Sequence, residues 1–164
     1  MVIVLMGVAG AGKTTVGQLL ASELGWRFED ADTYHPAANV QKMRNGIPLT
    51  DADRVPWLEK LRALISGWIA EGKNAVLACS ALKHSYRKLL RVAPEVHFAY
   101  LKVTPDLLHQ RLRARAGHFM TERMIESQLA DLEEPENAIV LDGDEPPEKI
   151  VGEIRTRLGL PEIP

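Results

Sequence analysis

The chain has 164 residues, of which 46% are hydrophobic, and a formal net charge of −2. This length suits one compact domain, so we expect residues 1–164 to fold as a single unit. The nearly balanced charge gives no global field that would attract nucleic acid or an anionic membrane, and we expect neither as a partner. The single cysteine, Cys79, excludes an internal disulfide and is typical of a reducing compartment, from which we expect a cytoplasmic protein.

Residues 7–14 read G-x-x-x-x-G-K-T and follow a short apolar run, Val2–Met6. That run is too short for a signal peptide or a membrane span, and we interpret it as a strand. Apolar residues at helical spacing come after the motif, and a strand–loop–helix context predicts a phosphate-binding loop rather than a Gly-rich turn. Backbone N–H groups would converge there at the positive end of the helix. The residues expected to bind the nucleotide are Gly7, Ala9, Gly10, Ala11, Gly12, Lys13, Thr14 and Thr15.

Two side chains of this loop are expected to act on the nucleotide directly. Lys13 would bring a positive charge to the β- and γ-phosphates, so we predict that it is catalytic. The hydroxyl of Thr14 can join the coordination of Mg²⁺.

A second predicted strand, Trp26–Glu29, ends in two acidic residues that lie on one side of the chain, Asp30 and Asp32. Ligands of open α/β sheets bind at the carboxyl ends of strands, which is also the edge that carries the phosphate loop. We therefore predict that Asp32 contacts the acceptor hydroxyl as a catalytic residue and that Asp30 holds Mg²⁺ through water. The alternative is a solvated turn.

The next segments predict a short helix, Asn39–Arg44, and a longer one that Asp53 would cap, with Pro56 in its first turn. Arg54 stands at the entrance of the longer helix, where its planar fork suits a carboxylate or a phosphate. An exposed arginine that pairs with a neighbouring aspartate remains an equal interpretation of the same spacing.

An apolar third strand, Asn74–Cys79, is expected at the centre of the sheet, with Cys79 packed as a small hydrophobe. Ser80 is expected to cap the next helix, which carries Lys83 and Arg87 on one face. Two cations near a helix start oppose the macrodipole, a cost that a bound anion would offset. A solvated basic face is the alternative.

A fourth strand, Val96–Val103, leads into a helix in which Arg111 and Arg115 face the same way. A break at Gly117 and a new helix capped by Thr121 then predict a small lid at about 112–124 that closes over phosphates. A solvated cationic helix is the alternative. A fifth strand and a last helix follow at 138–142 and 148–158. Strands that alternate with helices predict an α/β fold with a parallel sheet and right-handed crossovers.

The loop, the acids and the lid together predict transfer of a phosphoryl group from ATP to a small molecule, a reaction that depends on positioning and charge neutralisation. A GTP-dependent switch is the competing class. The sequence contains no Asn-Lys-x-Asp motif of the kind that reads guanine.

The order of these motifs resembles the gluconokinase family, small P-loop kinases related to shikimate and nucleoside-monophosphate kinases. The segments that carry the resemblance are Leu5–Thr14, Asp30–Asp32 with His35-Pro36, Asn39 with Lys42-Met43, Gly46–Leu49, Asp51–Leu58, Cys79–Lys83 with Tyr86-Arg87, and Arg111–Arg115 with Gly117–Phe119. The resemblance implies ATP-dependent phosphorylation of D-gluconate at its 6-hydroxyl, a five-stranded sheet of order 2-3-1-4-5, and a homodimer.

The resemblance also implies roles for the cations. Arg54, Lys83 and Arg87 would hold the carboxylate and neighbouring hydroxyls, and His35 and Ser80 are further substrate-binding candidates. Arg111 would flank the adenine together with the loop at 142–146, and Arg115 would be a catalytic lid residue that contacts phosphate.

A kinase for another sugar acid or polyol is the main alternative to gluconokinase. Shikimate kinase fits less well, because the Gly-rich run it carries after the third strand is replaced here by Cys79–Lys83. A non-catalytic nucleotide-binding switch is a further alternative.

Overall fold

A five-stranded parallel sheet forms the centre of the protein. The structure is a computed structural model that describes residues 1–114 and 121–161. In chain order the strands are β1 (Val2–Met6), β2 (Arg27–Asp30), β3 (Ala75–Ala78), β4 (Val96–Lys102) and β5 (Ile139–Asp142). They pair in the order β2-β3-β1-β4-β5, all parallel, which confirms the predicted fold and strand order. The carboxyl ends of the strands therefore meet at one edge.

Seven α-helices lie within the described ranges. They are α1 (Lys13–Leu24), α2 (Ala37–Arg44), α3 (Asp51–Ala70), α4 (His84–Leu90), α5 (Pro105–Ala114), α6 (Glu122–Asp131) and α7 (Pro147–Leu158). Helices α1, α4, α5 and α7 each come next after a strand, and a short 3₁₀ turn, Ala31–Tyr34, connects β2 to α2. In the part of the chain that the structure describes, no helix is both long and apolar enough to cross a membrane.

Two hydrophobic cores lie on opposite faces of the sheet, because successive side chains of a strand point to opposite sides. Val2, Val4 and Met6 of β1 pack with α3 and α4. Ile3 and Leu5 pack on the other face with α1 and α7. Every residue of β1 and β3 is buried, as expected for central strands of a parallel sheet.

Two predicted helix starts are wrong, and both bear on the site. Thr50, not Asp53, caps α3: the Thr50 hydroxyl accepts a hydrogen bond from the Asp53 N–H (3.1 Å), and the Asp53 carboxylate accepts one from the Thr50 N–H (2.9 Å). Asp53 thus completes a capping box from inside the helix. Helix α4 begins at His84 instead of just after Ser80, because Ala81 has a left-handed φ of 45°, which no helix accommodates. The predicted cap at Thr121 is confirmed by a 3.2 Å bond from the Met124 N–H.

We expect the contact between α1 and β2 to be sensitive to added volume at Gly17. A Cβ there would lie 2.6 Å from Phe28 Cε2 and 3.1 Å from Leu5 Cδ1, whereas a Cβ at Gly152 in α7 would have no neighbour within 4 Å. Gly17→Ala should lower the free energy of unfolding by about 1–3 kcal/mol through overpacking. Gly152→Ala should raise it by up to about 1 kcal/mol through helix propensity. Urea unfolding of both variants measures the difference, and equal stabilities would contradict this account of the packing.

Candidate functional site

A cleft of about 360 Å³ opens at the carboxyl edge of the sheet, where ligands of α/β folds bind. The phosphate loop forms one end, and the 3₁₀ turn, the α2–α3 loop and the start of α3 form the other. Helix α6 contributes one wall. The lining residues are Ala9, Gly10, Gly12, Lys13, Thr14, Thr15, Asp30, Asp32, His35, Met43, Pro48, Leu49, Arg54, Trp57, Ala78, Ser80, Leu82, Met124, Ser127 and Gln128.

The phosphate loop curls at two glycines with left-handed backbone, Gly10 (φ 84°) and Gly12 (φ 96°). At that point α1 begins, so its positive end faces the cleft. The ammonium group of Lys13 donates to the carbonyls of Gly7 (2.8 Å) and Val8 (3.0 Å). Burial lowers the pKa of Lys13, and the charge of Asp32 opposes that shift.

Gly7 and Ala11, two of the residues predicted to bind phosphate, have N–H groups that are bonded within the protein. The Gly7 N–H donates to the Ser80 carbonyl (3.3 Å), and the Ala11 N–H donates to the Val8 carbonyl (3.1 Å). Both residues are buried beneath the loop and do not line the cleft. The N–H groups of Gly7 and Ala11 thus shape the loop through bonds within the protein, and their contact with phosphate stays a prediction.

Gln128 is a residue of the cleft that the sequence did not suggest. Its side-chain oxygen on α6 accepts a hydrogen bond from the Ala9 N–H in the phosphate loop (2.8 Å). Met124, Ser127 and Gln128 all line the cleft. Their i, i+3, i+4 spacing is the signal that marks one face of a helix.

The acids after β2 lie beside the phosphate loop, as predicted. The Thr14 hydroxyl donates to the Asp30 carboxylate (3.2 Å), and the same carboxylate accepts from the Asp32 N–H (2.9 Å). Burial within the cleft raises the pKa of Asp32; Lys13 opposes this shift and Asp30 adds to it. The Asp32 side chain is nonetheless 74% exposed, so solvent weakens the effect.

Thr14 and Asp30 offer the oxygen ligands that Mg²⁺ prefers. In the part of the chain that the structure describes, no group of three or more His, Cys, Asp or Glu side chains could hold a metal.

His35 and Trp57 form the floor of the opposite end. Their rings stack with centroids 4.3 Å apart and planes inclined by 15°. The Trp57 indole N–H donates to the Ala31 carbonyl (2.7 Å), which ties α3 to the 3₁₀ turn. Burial, with a contribution from the charge of Arg54, lowers the pKa of His35 to about 4, so the ring is neutral at physiological pH.

Arg54 is buried, with only 7% of its surface exposed, so the interpretation of an exposed arginine is wrong. Its Nη1 donates to the Tyr86 hydroxyl (3.0 Å) and to the Asp131 carboxylate (3.1 Å). Burial alone would lower the pKa of Arg54, but these two partners raise it. Within the described ranges every hydrogen bond of this guanidinium comes from Nη1, which leaves Nε and Nη2 as donors for a ligand in the cleft.

Lys83 and Arg87 do not line the cleft, although Ser80 does. Lys83 donates to the Asp51 carboxylate (2.8 Å), which also accepts a hydrogen bond from the Tyr86 hydroxyl. Arg87 is buried, and its guanidinium donates to three backbone carbonyls, those of Ala81 (2.7 Å), Leu82 (3.0 Å) and Glu133 (2.8 Å). Arg87 thus braces the loop after β3, and its contact with the substrate stays a prediction. Lys83 is placed to support Asp51 and Tyr86 behind Arg54.

Arg111 bridges the phosphate loop and the loop after β5. It donates to the carbonyls of Gly10 (2.8 Å) and Gly143 (3.3 Å). Arg111 and the loop after β5, which are both predicted to flank the adenine, are therefore in contact. Arg115 and residues 116–120 of the predicted lid lie outside the described residues.

Comparisons with known proteins agree with this arrangement. The shikimate kinase family model matches residues 9–158. A gluconokinase of Gluconobacter oxydans is 46% identical over 160 residues, which span 93% of this chain and 88% of that protein. A sugar kinase of Janibacter, solved without ligand, has a TM-score of 0.90 at 41% identity, covering 97% of this chain and 94% of that chain. A gluconokinase structure from Sinorhizobium meliloti has a TM-score of 0.84 at 41% identity, covering 96% and 90%.

Proposed function

The chain belongs to the gluconokinase family, within the wider shikimate kinase family, and we propose that it phosphorylates D-gluconate with ATP to give 6-phosphogluconate. The observation that carries this proposal is the make-up of the cleft. A phosphate loop lies at one end. At the other end lies the buried Arg54, whose Nε and Nη2 groups can donate hydrogen bonds to a ligand. Such a cleft suits an acceptor that carries both a carboxylate and hydroxyls.

The donor half of the reaction rests on the phosphate loop. The N–H groups that face the cleft and the positive end of α1 would hold the phosphates of ATP, with Arg111 beside the adenine. Lys13 would exchange its two loop carbonyls for phosphate oxygens and stabilise the charge that develops as the γ-phosphoryl group moves. Arg115 is proposed as the lid residue that contributes a second positive charge.

We propose that Mg²⁺ binds next to the Thr14 hydroxyl, with Asp30 acting through water. When bound it would neutralise phosphate charge.

Asp32 is proposed to accept a hydrogen bond from the acceptor hydroxyl. That bond would aim an oxygen lone pair at the γ-phosphorus while the bond from phosphorus to the leaving oxygen of ADP breaks. Because the transition state of phosphoryl transfer is loose, orientation matters more than early removal of the proton. The hydroxyl proton is then released to the carboxylate or the new phosphate group.

Arg54 is proposed to bind the gluconate carboxylate. Its position is fixed by Tyr86 and Asp131, so its remaining donors need little further ordering when an anion binds. Ser80 would bind hydroxyls of the chain between the two ends, and His35 would bind a hydroxyl near Asp32. The resemblance to the family also leads us to propose a homodimer, for which light scattering should give a mass near twice 18.2 kDa.

Another sugar acid remains the second candidate, because an arginine and a set of hydroxyl partners would accept related compounds. A coupled ADP-release assay should compare gluconate, shikimate, other sugar acids and nucleoside monophosphates at equal concentration. We expect the largest kcat/KM for gluconate. Faster turnover of another acid would reassign the substrate. A rate of ADP release that is the same with and without each acceptor would favour a switch protein.

Replacement of Arg54 should weaken gluconate binding selectively. Arg54→Lys keeps the charge but loses the planar fork, so we expect KM for gluconate to rise about tenfold or more while KM for ATP changes less than about twofold. Arg62→Lys is the matched control, since Arg62 lies exposed on the same helix and its side chain bonds, among the described residues, only the Leu89 carbonyl (3.0 Å). Equal rises in both KM values would remove Arg54 from the acceptor site.

Replacement of Asp32 should act on turnover. Asp32→Asn keeps the shape but loses the charge that strengthens the hydrogen bond from the acceptor hydroxyl, and we expect kcat to fall by about 10². Asp106→Asn, a change at an exposed aspartate of α5 outside the lining of the cleft, should leave kcat unchanged. A loss of less than about threefold in the Asp32 variant would reject the role of this carboxylate.

A further inference from the structure

Asn39 is a buried polar residue of α2 that the proposed reaction does not use directly. Only 4% of its surface is exposed. Its side-chain nitrogen donates to the Asp53 carbonyl (2.8 Å) and lies 3.2 Å from His35 Nδ1. The amide thus connects the capping box of α3 to a ring of the acceptor site.

The two contacts together determine which nitrogen of His35 carries the proton. A backbone carbonyl can only accept, so the Asn39 group that faces Asp53 is the NH₂ and not the oxygen. The second amide hydrogen points to His35 Nδ1, which must then offer its lone pair. A neutral imidazole with Nδ1 as acceptor carries its hydrogen on Nε2.

The position of the His35 ring places the Nε2 hydrogen at the end of the cleft where the sugar acid is proposed to bind. His35 lies flat on Trp57, its side chain is 4% exposed, and it lines the cleft. Its Nε2 is 3.8 Å from Asp32 Oδ1, too far for a direct hydrogen bond. An oxygen atom at about 2.8 Å from both atoms fits between them.

We propose that Asn39 is a positioning residue that fixes His35 as the Nε2–H tautomer, so that His35 donates to the same acceptor hydroxyl from which Asp32 accepts. A donor beside an acceptor matches a hydroxyl, which has one hydrogen to give and lone pairs to receive. It does not match a carboxylate, which Asp32 would repel. The pair therefore selects the hydroxyl end of the sugar acid at this point. This inference rests on the proposed sugar-acid kinase activity.

The first test measures the His35 tautomer in the wild-type protein, and a variant is used only to assign the signal. Long-range ¹H–¹⁵N spectra of ¹⁵N-histidine-labelled wild-type protein distinguish Nε2–H from Nδ1–H, and His35→Gln assigns the signal among the five histidines. Spectra are recorded at about pH 8.5, well above the ordinary histidine pKa of about 6.5, so that the ring is neutral. We expect a protonated Nε2 and a bare Nδ1. A protonated Nδ1 would overturn the proposal.

The second test forces the opposite tautomer. Asn39→Asp presents a carboxylate that only accepts, so the His35 proton should move to Nδ1. At the same pH we expect KM for gluconate to rise about tenfold, the value of one hydrogen bond, with KM for ATP within about twofold. Gln41→Glu, an exposed amide-to-acid change on the same helix, should resemble wild type.

The outcomes separate this inference from the proposed function. An unchanged His35 tautomer in Asn39→Asp would show that Asn39 does not control it. A switched tautomer with unchanged KM for gluconate would remove His35 from the hydroxyl, and equal rises in both KM values would reduce Asn39 to a structural role. Failure of wild-type protein to phosphorylate gluconate would instead reject the function, whatever the spectra give.

Discussion

The side chain of Trp57 connects helix α3 to the 3₁₀ turn after β2, and these two elements form the end of the cleft where the acceptor is proposed to bind. Its indole N–H holds the Ala31 carbonyl at 2.7 Å, which fixes α3 against the turn that carries Asp32. Its face supports the ring of His35. Because Trp57 is 1% exposed, this bond forms in a medium where an unpaired partner would be costly. The relative positions of Asp32, His35 and Arg54 therefore depend on one buried residue.

The donor end depends on a different constraint, the burial of β1 between β3 and β4. All five residues of β1 are buried between β3 and β4, and only six residues separate the end of β1 at Met6 from the start of α1 at Lys13. Glycines with left-handed φ make the turn from β1 into α1, and the start of α1 faces the space above the sheet. The parallel arrangement brings the end of β2 to the same edge, where Thr14 meets Asp30. Donor and acceptor sites thus share one cleft because the strands share one direction.

The sequence was most informative where a signal is local. The phosphate loop, the five strands and the acids after β2 follow from motifs and apolar runs a few residues long, and the structure has all of them. It was least informative where a partner is remote. The bonds of Arg54 to Tyr86 and Asp131 span 32 and 77 residues, and that of Gln128 to Ala9 spans 119. No local pattern encodes such pairs, which is why the burial of Arg54 and the contact of Gln128 were not foreseen.

The two wrong helix starts have local causes that spacing alone does not capture. Thr50 and Asp53 are both good caps, and their reciprocal bonds decide in favour of the earlier residue. After β3 the backbone of Ala81 turns left-handed, and Arg87 reaches back to hold its carbonyl. The guanidinium of Arg87 donates to three carbonyls around this turn, contacts that the spacing of Lys83 and Arg87 on one helix face does not indicate.

The bond between Gln128 and the phosphate loop makes nucleotide binding an exchange. An amide oxygen occupies the Ala9 N–H, so a phosphate oxygen that takes this donor must displace it. The net gain from that contact is the difference between two hydrogen bonds, in which the charged acceptor has the advantage. Displacement also frees one attachment of α6, whose Met124 and Ser127 line the same cleft. A nucleotide that takes the Ala9 N–H would therefore remove one contact of the helix that forms a wall of the cleft.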